Sequence, residues 1–200
     1  MRISFTVGVD EVGRGPLAGP LLVAAVSTRQ SAHSRRLSAS LSGIRDSKKL
    51  SEQQREAWFL RLRGLRDGGL LDWRVSLVTP AVIDRRGMSY ALRVSVARAL
   101  AHLSCAPSET RVLLDGSLHA PRDFAHQETI VHGEDREPLI AAASIVAKVS
   151  RDRRMRRYAE HFPEYGFDTH KGYGTAAHRD AIERYGTCVI HRESFLSRVR

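Results

Sequence analysis

Apolar and β-branched residues run from Ile3 to Val9 and stop at two adjacent acids, Asp10 and Glu11. Such a run reads as a strand. Three glycines and two prolines between positions 13 and 20 end regular pairing just beyond it. Successive strand side chains point to opposite faces, so Asp10 and Glu11 can share one site only if the chain twists or bulges there, which Gly13 and Gly15 allow. Leu21 to Val26 is a second apolar run, most simply antiparallel to the first. Ser27 to Gly43 is rich in serine and arginine without periodicity and predicts a loop. Ser51, with Gln54 at the third helical position, predicts a helix start. Trp58, Leu60, Leu62 and Leu65 supply part of an apolar face before Gly68-Gly69 ends that helix.

Trp73 to Val78 alternates as a third strand, and Thr79 to Arg86 and Ser89 to Leu103 read as two helices broken at Gly87. The second carries Leu92, Val96, Leu100 and Leu103 at helical spacing. Arg111 to Asp115 is a compact strand closed by Gly116, which places a third acid at a strand's carboxyl end, the edge where ligands collect in open α/β sheets. Glu128 to His132 is a fifth candidate strand. A long helix follows from about Leu139 to His161, with Pro138 suited to its first turn. Ala141, Ala142, Ala143 and Ala147 thin one of its faces for close packing, and the basic stretch Arg151 to Arg157 is expected to be solvated. In the tail, Thr175 caps a short helix through Tyr185. Five strands with flanking helices predict an α/β fold.

The 200 residues carry 32 Lys+Arg against 22 Asp+Glu, a formal charge of +10. That excess favours a polyanionic partner, nucleic acid before an anionic membrane surface. Cys105 and Cys188 are far apart and lack metal-ligand spacing, so both are expected to be reduced. Nothing at the N-terminus has signal-peptide order, and no apolar run approaches the ~20 residues that span a bilayer. The expected setting is soluble and cytoplasmic, with no membrane partner.

Against this basic background stand Asp10, Glu11, Asp115 and one of Glu134 or Asp135. Buried carboxylates repel one another unless a proton or cation intervenes. Hard divalent cations take oxygen ligands, and two such ions ~4 Å apart can activate a water and stabilise a phosphodiester's leaving oxygen. The Gly13-Arg14-Gly15-Pro16 continuation can bring backbone N–H groups and a guanidinium close to an anion. The competing reading of this stretch is a surface turn with a Glu11–Arg14 ion pair. Similarly, His170, His178 and His191 could serve acid–base chemistry or zinc, although no Cys/His spacing supports a zinc site. His191 and Arg192 read more simply as a tail anchor or a backbone-phosphate contact.

Asp10-Glu11-Val12-Gly13-Arg14-Gly15-Pro16-Leu17-Ala18-Gly19-Pro20 resembles the signature of type 2 ribonuclease H, ribonuclease HII. Further blocks resemble that family in its order: Asp46 to Ser51, Leu114-Asp115-Gly116, Ile140 to Val149, His170 to Thr175, and His191 to Phe195. The resemblance implies a ribonuclease H-like three-layer fold, with a mixed five-stranded sheet flanked by helices. Residues 1–161 would be the catalytic core and residues 162–200 a helical extension packed on it.

It further implies an endonuclease acting on RNA/DNA hybrids and on duplex DNA with embedded ribonucleotides, dependent on Mg2+ or Mn2+, and a monomer. Asp10, Glu11 and Asp115 match the family's metal ligands. The fourth acid is usually the Asp of a Gly-Asp pair; here Glu134 holds that position and Asp135 follows, so Glu134 is the choice and Asp135 the alternative. Gly13, Arg14 and Gly15 match the backbone that senses a 2′-hydroxyl, and Tyr173 matches a tyrosine packed against that sugar, the group separating RNA from DNA. Lys48 is a candidate phosphate contact. Two rivals stay open: a nucleic-acid-binding member without catalysis, and another nuclease of the same fold, such as a junction resolvase or ribonuclease HI.

Overall fold

The computed structural model describes residues 2–30 and 34–196. Five strands form one sheet: β1 (Phe5–Val12), β2 (Leu21–Arg29), β3 (Asp72–Val78), β4 (Thr110–Asp115) and β5 (His126–Ile130), in the order β3-β2-β1-β4-β5. β2 is antiparallel to both β1 and β3, whereas β4 runs parallel to β1 and to β5. The sheet is therefore mixed, as expected. Its helices are α1 (Ser34–Ser40), α2 (Glu52–Asp67), α3 (Pro80–Arg86), α4 (Met88–Ala101), α5 (Pro138–His161), α6 (Phe167–His170), α7 (Ala176–Tyr185) and α8 (Glu193–Leu196).

Strand alternation divides the core into two layers. On one face Ala24 and Val26 pack against Leu139, Ala142, Ala143, Val146 and Ala147 of α5, with Phe59 and Leu62 of α2 behind them. On the other face Val7, Val9, Val23, Ala25, Val112 and Leu114 meet Val96, Ala99 and Leu100 of α4. The alanine run on α5 allows it to lie close to the sheet. Gly8 completes that fit, because a Cβ there would come within 2.3 Å of the Leu139 backbone.

Three expectations need correction. Residues 27–43 are not one loop: β2 continues to Arg29 and α1 follows, burying Leu37, with Leu41 buried in the turn after it, while residues 31–33 lie outside the described residues. The helix is short and has few apolar positions, so periodicity could not reveal it. In α2 the anchors are Phe59 and Leu62, whereas Leu60 is 51% exposed. The basic second half of α5 is not simply solvated either. Arg151, Asp152 and Met155 are buried, and Arg153 and Arg156 pair with Glu56 and Glu52 of α2. Tertiary packing of α2 and the tail against α5 overrode what a run of arginines implies in isolation.

The tail closes over the glycine turn. Leu17 and Ala18 N–H groups donate to Gly172 O, Gly19 N–H to Ile190 O, and Arg192 N–H to Leu17 O. Ala18, Met155, Tyr165, Phe167 and Ile190 form the small core beneath. The Thr175 hydroxyl caps α7 by accepting from His178 N–H. Among the described residues no helix is long and apolar enough to cross a membrane.

Candidate active site

Val9 of β1 pairs with Leu114 of β4, so Asp10 and Asp115 come next along two parallel neighbours. Asp10 lies on the α5 face with Gly8 and Val12, and Glu11 on the opposite face with Val7 and Val9. No bulge turns them together, because the β1–β2 pairing stays regular through Val12. Instead β1 runs past the end of β4, and both carboxylates reach the same end of the sheet.

Asp10 is 4% exposed, accepts Glu11 N–H at 2.7 Å, and is bonded by the Ser144 hydroxyl from α5. Burial first, and then the charges of Glu11 and Asp115, push its carboxyl well above the ordinary range. Burial also raises Glu11 despite the opposing charge of Arg14, whose Nε lies 2.6 Å from Glu11 Oε1. The ion pair of the competing sequence reading therefore exists, but as one edge of a buried acidic group.

The short 3-10 turn Gly133–Asp135 before α5 sets where the two remaining candidates lie. Gly133 N–H donates to Asp115 Oδ1 at 2.8 Å, which locks the turn onto the end of β4. Glu134 is buried beside Asp115; burial, and then its hydrogen bond with that acid, raise its carboxyl. Asp135 instead faces outward and pairs with Lys49 at 2.6 Å. Of the two candidates, the fold brings Glu134 to the acidic group and turns Asp135 away.

Lys48 reaches over this group, with Nζ 3.7 Å from Glu134 Oε1. Burial pulls its ammonium down, but the charges of Asp46, Asp10, Glu134 and Asp115 outweigh that and raise it. Asp46 holds the Lys48 backbone by accepting its N–H at 2.9 Å, and Ser47 bonds Ser144 at 2.8 Å. These serines have no signal in the sequence beyond membership of two separate motifs; only the approach of α5 to residues 47–49 joins them.

Among the described residues no three His, Cys, Asp or Glu side chains are already gathered round a common metal position. Cations of the chain, Arg14 and Lys48, stand against the acids instead. Even so, Glu11 Oε2 and Glu134 Oε2 are buried without a hydrogen-bond partner among the described residues. An unpaired buried carboxylate oxygen is costly, and the raised carboxyls report the same crowding. An oxygen-only, charge-deficient set of this kind fits a hard divalent cation.

Beside the acids, the glycine turn presents Gly15 outward, where a Cβ would meet nothing within 4 Å. Gly13 is different: its φ is +94°, and a Cβ would lie 2.6 Å from Arg151 Nε. Tyr173, 43% exposed, stands next to this turn because Gly172 is hydrogen-bonded to Leu17 and Ala18. The sequence left Arg192 open between a tail anchor and a phosphate contact, and gave no sign that Arg151 is buried beneath the turn. Arg151 donates to Pro20 O, Lys171 O and Ala18 O, and Arg192 to Gly13 O, Arg14 O and Gly19 O. Buried as it is, Arg192 anchors the tail and is closed to phosphate.

The histidines form a relay whose tautomers follow from their partners. Cys188 N–H donates to His191 Nδ1 at 2.9 Å, so His191 Nε2 carries the proton it shares with His178 Nε2 at 3.1 Å. His178 Nδ1–H then donates to Tyr173 O at 2.9 Å. Burial drives the His178 imidazole down to about 4, so it is neutral at physiological pH. The three imidazoles are packed around Phe167 and Tyr165. Their place is under Tyr173, supporting its backbone.

The mixed sheet in this strand order, with acids at the adjoining ends of β1 and β4 and helices on both faces, defines a ribonuclease H-like nuclease. A family model for ribonuclease HII matches residues 7–198. A ribonuclease HII of Bacillus cytotoxicus is 41% identical over 195 residues, covering 96% of this chain and 69% of the relative. Among solved structures, the ribonuclease H2 of Pyrococcus horikoshii superposes with a TM-score of 0.72 at 27% identity, over 96% of both chains. The ribonuclease HII of Archaeoglobus fulgidus, solved in complex with PCNA, gives 0.75 at 26% identity, over 94% of both. The chain belongs to the ribonuclease HII family. It is thus a ribonuclease H, a divalent-metal-dependent hydrolase acting on RNA paired with DNA.

Proposed function

We propose that this enzyme cuts the RNA strand of RNA/DNA hybrids and nicks duplex DNA on the 5′ side of embedded ribonucleotides, serving their removal in replication and repair. The observation carrying this reading is the juxtaposition of buried acids having two unpartnered oxygens with an outward-facing glycine turn. Asp10, Glu11, Asp115 and Glu134 would hold two divalent ions, Mg2+ or Mn2+, which when bound supply an activated water and offset charge on the leaving oxygen. The burial of Asp10 and its hydrogen bonds from Ser144 and Glu11 N–H keep one carboxylate fixed. Lys48, raised by the acids and exposed at its tip, meets the phosphate. Gly13, Arg14 and Gly15 read the 2′-hydroxyl through their backbone, and Tyr173 packs on that sugar. Water adds at phosphorus as the bond to the 3′ oxygen breaks, leaving a 3′-hydroxyl and a 5′-phosphate. Free Cys105 and Cys188 accord with action in the reducing cytoplasm, and a monomer suffices because all these residues come from one chain.

A duplex carrying one ribonucleotide, incubated with Mg2+ or Mn2+, tests the reading. One nick on the 5′ side of the ribonucleotide is expected, with no product in chelator. A 2′,3′-cyclic phosphate, or cleavage that persists in chelator, overturns it.

A further inference from the structure

Arg192 has no exposed surface, yet among the described residues all its side-chain hydrogen bonds go to main-chain carbonyls: Gly13 O at 2.6 Å, Arg14 O at 2.9 Å, and Gly19 O at 2.8 and 3.0 Å. Burying a guanidinium with only neutral dipoles as hydrogen-bond partners is expensive, even with the Phe195 ring 5.1 Å away and the charge of Asp84 acting on it. Burial, and then the charge of Arg151, push Arg192 down to about 9, still protonated at neutral pH. The arrangement makes sense through the geometry of the peptide bond. In a planar trans peptide the C=O of one residue and the N–H of the next point in opposite directions. Gly13 O belongs to the peptide that carries the Arg14 N–H, and Arg14 O to the one that carries the Gly15 N–H. Drawing both oxygens inward turns both N–H groups outward. Among the described residues neither amide donates to a backbone acceptor, and the space beyond Gly15 is open.

We infer that Arg192 is a positioning residue for sugar specificity: its fork holds the Gly13 and Arg14 carbonyls inward and so aims the Arg14 and Gly15 amides at the ribose 2′-hydroxyl. The inference rests on the proposed reading of the glycine turn. A planar fork is needed, since a lysine is a point charge that cannot hold two successive carbonyls in one plane. Arg151 has a different task, joining Ala18 and Pro20 to Lys171 in the tail.

The test compares affinities for a duplex with one ribonucleotide and for its all-deoxy counterpart, on an Asp10→Asn background in Mg2+ so that nothing is cut. The parent is expected to prefer the ribonucleotide. Arg192→Lys is expected to lose about tenfold of that preference, the scale of one or two misaligned hydrogen bonds. Leu62→Ala, a destabilised control in the distant α2 core, should keep it. A folded R192K with the parental preference overturns the inference alone, as does an L62A that loses as much. A parent indifferent to the 2′-hydroxyl overturns the reading of the turn, and the inference with it. Should R192K not fold, amide NMR of the parent decides. The Arg14 and Gly15 signals should move with the ribonucleotide duplex and stay with the all-deoxy one; amides unmoved by both overturn the proposal.

Discussion

Asp10 shows how one side chain answers to two demands. It is buried among other acids, so its protonated form is favoured in the folded chain relative to the unfolded one. A carboxyl raised on folding makes the folded state bind more protons, and stability then falls as pH rises through that window. Asp10→Asn removes the charge. In chelator the variant should melt above the parent at pH 7, the gap closing as pH falls toward the ordinary value of 3.8. The same change should lower cleavage by at least ~10³-fold, since metal-assisted charge stabilisation is worth several kcal/mol. Equal melting curves at both pH values, or retained cleavage, would count against the assignment. The two glycines flanking Arg14 separate backbone need from ligand need. Gly13→Ala should cost about 1–3 kcal/mol in denaturant unfolding because its φ is +94° and its space is filled. Gly15→Ala should leave stability within about 0.5 kcal/mol, because the space beyond it is open, but on the proposed reading of the turn weaken binding of ribonucleotide duplexes.

At the scale of elements, the seating of α5 matters most. Its first turn carries Leu139 over Gly8, and the preceding turn carries Glu134 to Asp115. Gly8→Ala would drive a methyl into the Leu139 backbone, so a loss of about 1–3 kcal/mol or more is expected by urea titration, with activity falling further as Glu134 shifts. The relay joining α7 to the tail makes a separate, pH-dependent forecast. His178 is held neutral in the fold, near 4, against 6.5 when unfolded. Its contribution is fully present above pH 6.5 and is lost as pH falls toward 4, where the unfolded chain takes up the proton first. His178→Gln should therefore show a flatter urea midpoint between pH 7.5 and 4.5 than the parent does. The capping box of Ser51 and Gln54, the break at Gly87 and the Thr175 cap were all legible in the chain, since local chemistry dictates them. α1 and the buried half of α5 were not, because only their neighbours decide what they bury.

The whole molecule carries +10 of formal charge, with an acidic centre set in a basic surface. Binding should accordingly weaken with salt: with about five phosphate contacts, log K should fall with log salt at a slope near −4.5. A flat salt profile would remove the electrostatic part of the account. The chain alone determined the order of the five strands and of α2, α3, α4, α5 and α7, the presence of acids at two strand ends, and the family those motifs resemble. Each depends on spacing or local geometry, which a linear pattern records. Only the folded molecule decided that Glu134 rather than Asp135 turns inward, that Asp10 and Glu11 meet without a bulge, and that Arg151 and Arg192 are buried clamps. The clamps depend on contacts between distant segments, as between Arg192 and Gly13, and the inward turn of Glu134 on the bond from Gly133 N–H to Asp115; no local pattern encodes which partner will be there.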